Sequence, residues 1–207
     1  PVFTNVLVAD EINRAPSKSQ SALLEAMEEG QVNIDGHHYT LPSPFWVVAT
    51  QNPTEHSGTN VLPESQLDRF LIRVSLGYPD EASEKRMLAR SFEERRGAPI
   101  VSQNIDILHE RAAAQSVLLN SVTLDYLYRL VAHTRDPKEF RLGLSPRAAL
   151  GLVSLSKAWA WLNKRAYATP DDVREVFAAV AAHRVFPVSH SPEWAIQKLL
   201  AEVAIHS

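Results

Sequence analysis

The amino-acid sequence predicts a parallel α/β unit over residues 1–78 followed by an all-helical unit over residues 79–207. Three observations predict it. Two apolar runs without polar alternation, 5–9 and 45–50, end in Asp10-Glu11 and Gln51-Asn52, as strands buried on both faces of a parallel sheet do. From Asp80 onward the apolar period becomes helical and stays so, which places a boundary near Gly77-Tyr78-Pro79. A hydroxyl residue followed by proline recurs at Ser145-Pro146, Thr169-Pro170 and Ser191-Pro192. Each pair joins a side chain able to cap a first helical turn to a ring whose fixed φ suits the first helical position.

The elements follow in order. Asn5 to Ala9 is the first strand. After Pro16, the segment 17–29 puts Leu23, Leu24 and Met27 on one helical face, and Gly30 stands where a left-handed cap belongs. Residues 31–34 and 38–41 flank Asp35-Gly36, the dipeptide suited to the positive φ angles of a tight hairpin turn. Residues 45–50 form the second buried strand, which Pro53 stops. A loop to Pro63, a helix through Leu67 and Phe70, and a third strand at 72–76 complete the first unit. Helices are predicted at 80–96, 104–115 and 122–134 besides the three that begin at Ser/Thr-Pro.

Composition narrows the function classes. With 45% hydrophobic and 22% charged residues the chain of 207 has the make-up of a folded globular protein. A formal net charge of -3 supplies no global basic field for a polyanion. Cysteine is absent, so disulfides and thiolate metal sites are excluded, which fits a reducing, cytoplasmic setting. The best candidate for a membrane span, 148–162, is broken by Ser154, Ser156 and Lys157 and falls short of the roughly 18 apolar residues needed. The chain opens at Pro1 and soon enters an apolar run without a basic leader, so the sequence predicts a cut end.

The residues able to carry chemistry gather at strand ends. Asp10 and Glu11 sit where open α/β sheets bind ligands. In phosphoryl transfer the first acid can help hold Mg²⁺ and the second can orient the attacking water; a strand merely entering a solvated loop gives the same pattern. Asn52 ends the next strand and can hydrogen-bond both a water and a phosphate oxygen, or simply begin a turn. Arg69 lies near a helix end, where a cation complements the dipole or, presented to a neighbouring subunit's nucleotide, accelerates transfer by about 10³–10⁵. Arg147 begins a helix, an unfavourable place for a cation that favours a ligand contact. His37 and His38 are adjacent in a strand and point to opposite faces. With His183 and His190 far along the chain, a zinc site is disfavoured. No Gly-x-Ser-x-Gly turn and no Gly-x-x-x-x-Gly-Lys-Ser/Thr loop occurs, so neither a serine nucleophile nor a phosphate cradle is encoded.

Taken in order, 7–15 (LVADEINRA), 20–27 (QSALLEAM), 49–53 (ATQNP), 67–70 (LDRF), 144–148 (LSPRA) and 169–173 (TPDDV) resemble the MoxR family of AAA+ ATPases. The resemblance spans nearly the whole chain and weakens after about residue 185. It implies the C-terminal part of a P-loop sheet core followed by a helical lid. Asp10-Glu11 then corresponds to Walker B, Asn52 to sensor 1, Arg69 to the arginine finger and Arg147 to sensor 2. The 31–41 segment resembles the hairpin that precedes sensor 1, and a plain structural hairpin is equally compatible with it.

The family's amino-terminal Walker A part has no counterpart in this sequence. The chain alone is therefore expected to be inactive and to leave a sheet edge and apolar surface uncovered. For the intact parent the resemblance implies ATP and Mg²⁺ as cofactors and self-association into a ring, expected to be a hexamer. It also implies a chaperone-like role in maturing protein complexes, with a von Willebrand factor A-domain partner. A non-catalytic AAA+-like scaffold, and a magnesium-chelatase-like or nucleic-acid-remodelling ATPase, are the competing expectations.

Overall fold

The structure is a computed structural model that describes residues 2–52, 60, 62–89 and 106–205. The loop expected at 53–63 falls mostly outside these residues, as do residues 90–96 and 104–105 of the expected helices.

β1 (Val6–Ala9) pairs in parallel with β4 (Trp46–Ala49), Val6 opposite Trp46 and Ala9 opposite Ala49. Between them run a 3₁₀ turn (Ile12–Arg14), α1 (Ser17–Glu29), and a hairpin of β2 (Gln31–Ile34) and β3 (His37–Thr40). α1 ends as its sequence requires: Gly30 adopts φ 63° and donates its N–H to the Ala26 carbonyl. The hairpin turns on Asp35 and Gly36, with φ 51° and 82°, so its second strand begins at His37, one residue earlier than expected. Leu23, Leu24 and Met27 pack with Ile12, Leu62 and Ala49 on one face of the pair. The opposite face is open: Val8 and Val48 are 64% and 53% exposed, with Val6 and Trp46 beside them. Within this chain β1 and β4 are therefore covered on one face, not on both.

After α2 (Glu64–Leu67) the expected third strand does not form; residues 72–76 belong to no ladder. A β-branched run becomes a strand only by pairing. Here the backbone turns instead to the lid, with Arg73 N–H donating to the Ala179 carbonyl at 2.8 Å. Val74 and Leu76 remain 71% and 96% exposed.

The helical part comprises α3 (Glu81–Ala89), α4 (Ile107–Ser116), α5 (Ser121–His133), α6 (Pro146–Leu162), α7 (Pro170–Ala181) and α8 (Pro192–Glu202). All three hydroxyl-proline pairs begin helices. The Ser145 and Ser191 hydroxyls accept from Ala148 and Trp194 N–H, and Thr169 forms a capping box with Asp172. The core lies among α5 to α8. Tyr126, Leu127, Leu130 and Val131 of α5 meet Val173, Val176, Phe177 and Val180 of α7, each set at helical spacing. α6 contributes a narrow face of Ala148, Leu152, Ser156 and Ala160, whose small residues let α7 approach closely. The unit is not wholly helical: β5 (Leu118–Leu119) pairs with β7 (Tyr167–Ala168), and β6 (Phe140–Leu142) with β8 (Phe186–Pro187). Ladders of two or three residues carry too little periodicity to be legible in sequence.

Candidate functional site

Two clusters hold the candidate residues. The first stands at the carboxyl edge of β1 and β4, where their parallel register brings Asp10-Glu11 and Thr50-Gln51-Asn52 off the same side. Thr50 binds the two loops together. Its N–H donates to the Ala9 carbonyl and its carbonyl accepts from Ile12 N–H, both at 3.0 Å. Its hydroxyl donates to Asp10 Oδ1 at 2.5 Å and accepts from Glu11 N–H at 2.9 Å.

Glu11 occupies the left-handed region, φ 48° and ψ 53°, which a non-glycine residue keeps only where its surroundings impose it. The Thr50 hydroxyl on one side and the 3₁₀ turn on the other impose it here. That turn is anchored by buried Gln20, whose Nε2 donates to the carbonyls of Ile12 and Asn60, each at 3.0 Å. The Glu11 carboxylate pairs with Arg14 at 3.0 Å and is 39% exposed. Asp10 is exposed and Asn52 half-buried. The edge thus presents carboxylate, hydroxyl and amide oxygens, a donor set suited to a hard dication such as Mg²⁺.

The second cluster centres on Glu28, in the last turn of α1. Arg69 pairs through Nη1 with Glu28 Oε2, and Arg147 through Nη2 with Glu28 Oε1. Arg69 Nη1 also donates to the Leu24 carbonyl at 3.1 Å. The Arg147 guanidinium foremost, and then that of Arg69, holds the Glu28 carboxyl below its ordinary range. Among the described residues neither arginine is bonded to Asp10 or Glu11, so the structure brings the five candidates together as two groups, not one. An open cavity of about 610 Å³ between Leu62, Leu67 and Phe186 includes none of them.

Neighbouring groups fasten the second cluster to the lid. Asp68 accepts from Arg184 Nε at 2.8 Å and from the Ser145 hydroxyl at 2.9 Å. Arg184, with a side chain only 4% exposed, also donates to the carbonyls of Asp68, Phe70, Leu71 and Val180. Burial lowers its pKa, against the opposing pull of Asp68. His183 Nε2 meets the Phe70 carbonyl at 2.9 Å, so this nitrogen carries the proton, and among the described residues its buried Nδ1 has no partner. Burial first, then the charges of Arg184 and Arg73, push its pKa down to about 4. On the far side, Thr134 Oγ1 accepts from Leu144 N–H at 3.1 Å and Arg135 Nε donates to the Leu144 carbonyl at 3.0 Å. The Leu144-to-Arg147 turn is therefore held from the end of α5 by buried Thr134 and by the more exposed Arg135.

Sequence reasoning missed Thr50, Glu28, Asp68 and Arg184. Thr50 and Asp68 lay inside motifs that had been singled out for a neighbour. Glu28 is one of three acids in 25–29, and nothing local distinguishes it from the other two. For Arg184 no local signal existed, since its partners are more than 110 residues away apart from Val180.

Comparison with known proteins agrees with this geometry. Residues 1–72 match the model of the ATPase family associated with various cellular activities (AAA), and residues 132–203 match the AAA lid domain. Chaperone MoxR1 of Mycobacterium tuberculosis is 39% identical over 220 residues, covering 99% of this chain and 58% of its own length. A magnesium-chelatase subunit ChlI homolog of Methanocaldococcus jannaschii is 28% identical over 190 residues, covering 87% of this chain and 50% of its own. The chain thus spans about half to three fifths of the length of these curated relatives. The crystal structure of a candidate ATPase from Cytophaga hutchinsonii superposes with a TM-score of 0.89 at 38% identity, covering 100% of this chain and 68% of that one. With a strand pair ending in Asp-Glu and Asn, a helical part tied to the same unit through Asp68, Phe70 and Arg73, and relatives of this kind along its whole length, the chain belongs to the MoxR family of AAA+ ATPases.

Proposed function

We propose that the protein containing this chain is an ATP-hydrolysing ring motor in which residues 1–78 carry part of the phosphoryl-transfer site and residues 79–207 form its lid. The observation that supports this best is the Thr50 hydroxyl bridging Asp10 Oδ1 and Glu11 N–H, because it fixes two acids at a sheet edge, Glu11 in a left-handed backbone geometry it would not keep alone.

In this reading Asp10 would contribute an oxygen ligand to Mg²⁺, with Thr50 holding its Oδ1. Bound Mg²⁺ would supply charge neutralisation at the β and γ phosphate oxygens. Glu11, released from Arg14, orients the attacking water and takes its proton as oxygen bonds to the γ-phosphorus and ADP departs with the bridging oxygen. Asn52 hydrogen-bonds that water or a γ-phosphate oxygen through its amide. Arg69 and Arg147 approach the γ-phosphate from a lid-side surface. Because that surface is separate from the acidic edge, a site completed between neighbouring subunits is the arrangement this geometry favours, with a hexameric ring as the expected assembly.

The relative named as a chaperone supports a cytoplasmic, chaperone-like role in maturing a client complex, with a von Willebrand factor A-domain protein as the expected partner. The relative named for magnesium chelatase favours, as a second reading, a motor that drives metal insertion. The test is steady-state ATPase activity of the full-length protein. Glu11→Gln should lower kcat by about 10²–10⁴ and Arg69→Ala by about 10³ or more, each with nucleotide binding retained. Near-normal turnover in both variants would end the assignment.

A further inference from the structure

Glu28 and Arg147 each stand at the unfavourable end of their own helix. Glu28 lies in the last turn of α1, which has no basic residue there, and an acid at a helix C-terminus opposes the dipole. Arg147 is the second residue of the 17-residue α6, where a cation does the same. The two meet, so each offsets the other's misplacement.

The pairing is divided by atom. Arg147 engages Oε1 and Arg69 engages Oε2, so the two carboxylate oxygens are gripped by two separate guanidiniums, as two non-bridging oxygens of a phosphoryl group would be. Among the described residues Arg147 bonds through Nη2 alone and Arg69 through Nη1 alone. Each guanidinium has five donors, so both retain N–H groups for an incoming anion. The Glu28, Arg69 and Arg147 side chains are 36%, 32% and 50% exposed, open enough for exchange. With Arg184 and Asp68 alongside, the cluster sets three guanidiniums against two carboxylates, an excess of positive charge.

We propose that Glu28 is a latch: its carboxylate occupies the place of a phosphoryl group between Arg69 and Arg147, and surrenders both arginines when the terminal phosphate of ATP arrives. This rests on the reading of the two arginines given above. Its consequence is competition. A binding-competent arginine pair populated only part of the time weakens apparent affinity by that fraction, so removing the latch should tighten nucleotide use. Glu28 is a positioning residue, acting through the arginines.

The experiment is ATPase kinetics of the full-length protein with Glu28→Gln, which keeps the shape and removes the charge. KM for ATP should fall about 5-fold, with kcat unchanged within about twofold. In an Arg147→Ala background the same substitution should move KM less, because only the Arg69 pair is left for Glu28 to compete through. Glu28→Asp, whose shorter side chain cannot span both arginines, should give an intermediate KM and serves if the glutamine variant folds poorly. An unchanged or raised KM for Glu28→Gln, together with losses in kcat/KM for Arg69→Ala and Arg147→Ala, would overturn the latch and leave the site reading intact. If neither arginine variant affects kcat/KM, the site reading fails and the latch with it.

Discussion

Replacing Arg184 with methionine should unfasten the segment that carries Arg69 from the lid. Methionine fills much of the volume and makes none of the bonds. The arginine donates to five acceptors: Asp68 Oδ1 at 2.8 Å, and the carbonyls of Asp68, Phe70, Leu71 and Val180. Breaking a buried pair by removing one partner costs about 3–5 kcal/mol. Two facts reduce the charge part here: the Asp68 side chain is 24% exposed and keeps its bond from Ser145. Against that, the orphaned carbonyls each forfeit about 1 kcal/mol of hydrogen bonding where water cannot replace it. The balance is a loss of about 3 kcal/mol. Urea denaturation of the full-length protein measures it, and with a slope of about 2 kcal/mol/M the midpoint should fall by about 1.5 M. Adding Asp68→Asn should then cost little more, since the carboxylate is already stranded, giving a coupling energy above about 1 kcal/mol in the double-mutant cycle. A loss below about 1 kcal/mol for Arg184→Met, or strict additivity with Asp68→Asn, would refute the argument that this pair clamps the lid.

His183 makes stability depend on acid. Its folded pKa is about 4 against an ordinary 6.5, so between those values the unfolded chain binds more protons. Stability is therefore full above about pH 6.5 and falls as pH drops toward 4, by at most about 3 kcal/mol. Arg184 and Arg73 sharpen the penalty and Asp68 opposes it. His183→Gln, which keeps a donor for the Phe70 carbonyl, should flatten this part of the melting-temperature profile between pH 7 and pH 5; an unchanged slope would place the titration elsewhere. Gly143→Ala acts through close approach: a Cβ there would overlap the Thr134 carbonyl, a backbone atom that cannot rotate away. The expected cost is about 1–3 kcal/mol, read as a lower urea midpoint, because the Thr134 and Leu144 bonds that seat the start of α6 must shift. A neutral substitution would show that this turn yields.

What the sequence revealed, and what it concealed, follows the range of the forces involved. Helix starts at Ser145, Thr169 and Ser191 were legible because capping is settled within about four residues, and Gly30 and Asp35-Gly36 because positive φ is a property of one residue. The parallel pairing of β1 with β4 was inferable from two apolar runs ending in polar residues, so the shared edge of Asp10, Glu11 and Asn52 came with it. Residues 72–76 show the opposite case. Their side chains favour a strand, yet strand formation needs a neighbouring edge, and within this chain Arg73 N–H bonds to α7. The arginines mark the same divide. Arg69 and Arg147 could be singled out from their motifs and from helix-dipole arguments, but their common partner could not, because Glu28 lies 41 residues from one and 119 from the other. Glu25 and Glu29 flank it, and composition alone does not separate it from them. A carboxylate that looks redundant along the chain becomes the meeting point of two helices only in three dimensions. That is why the placement of the acidic edge is readable from sequence, while the partner that the two arginines share has to be read from the fold.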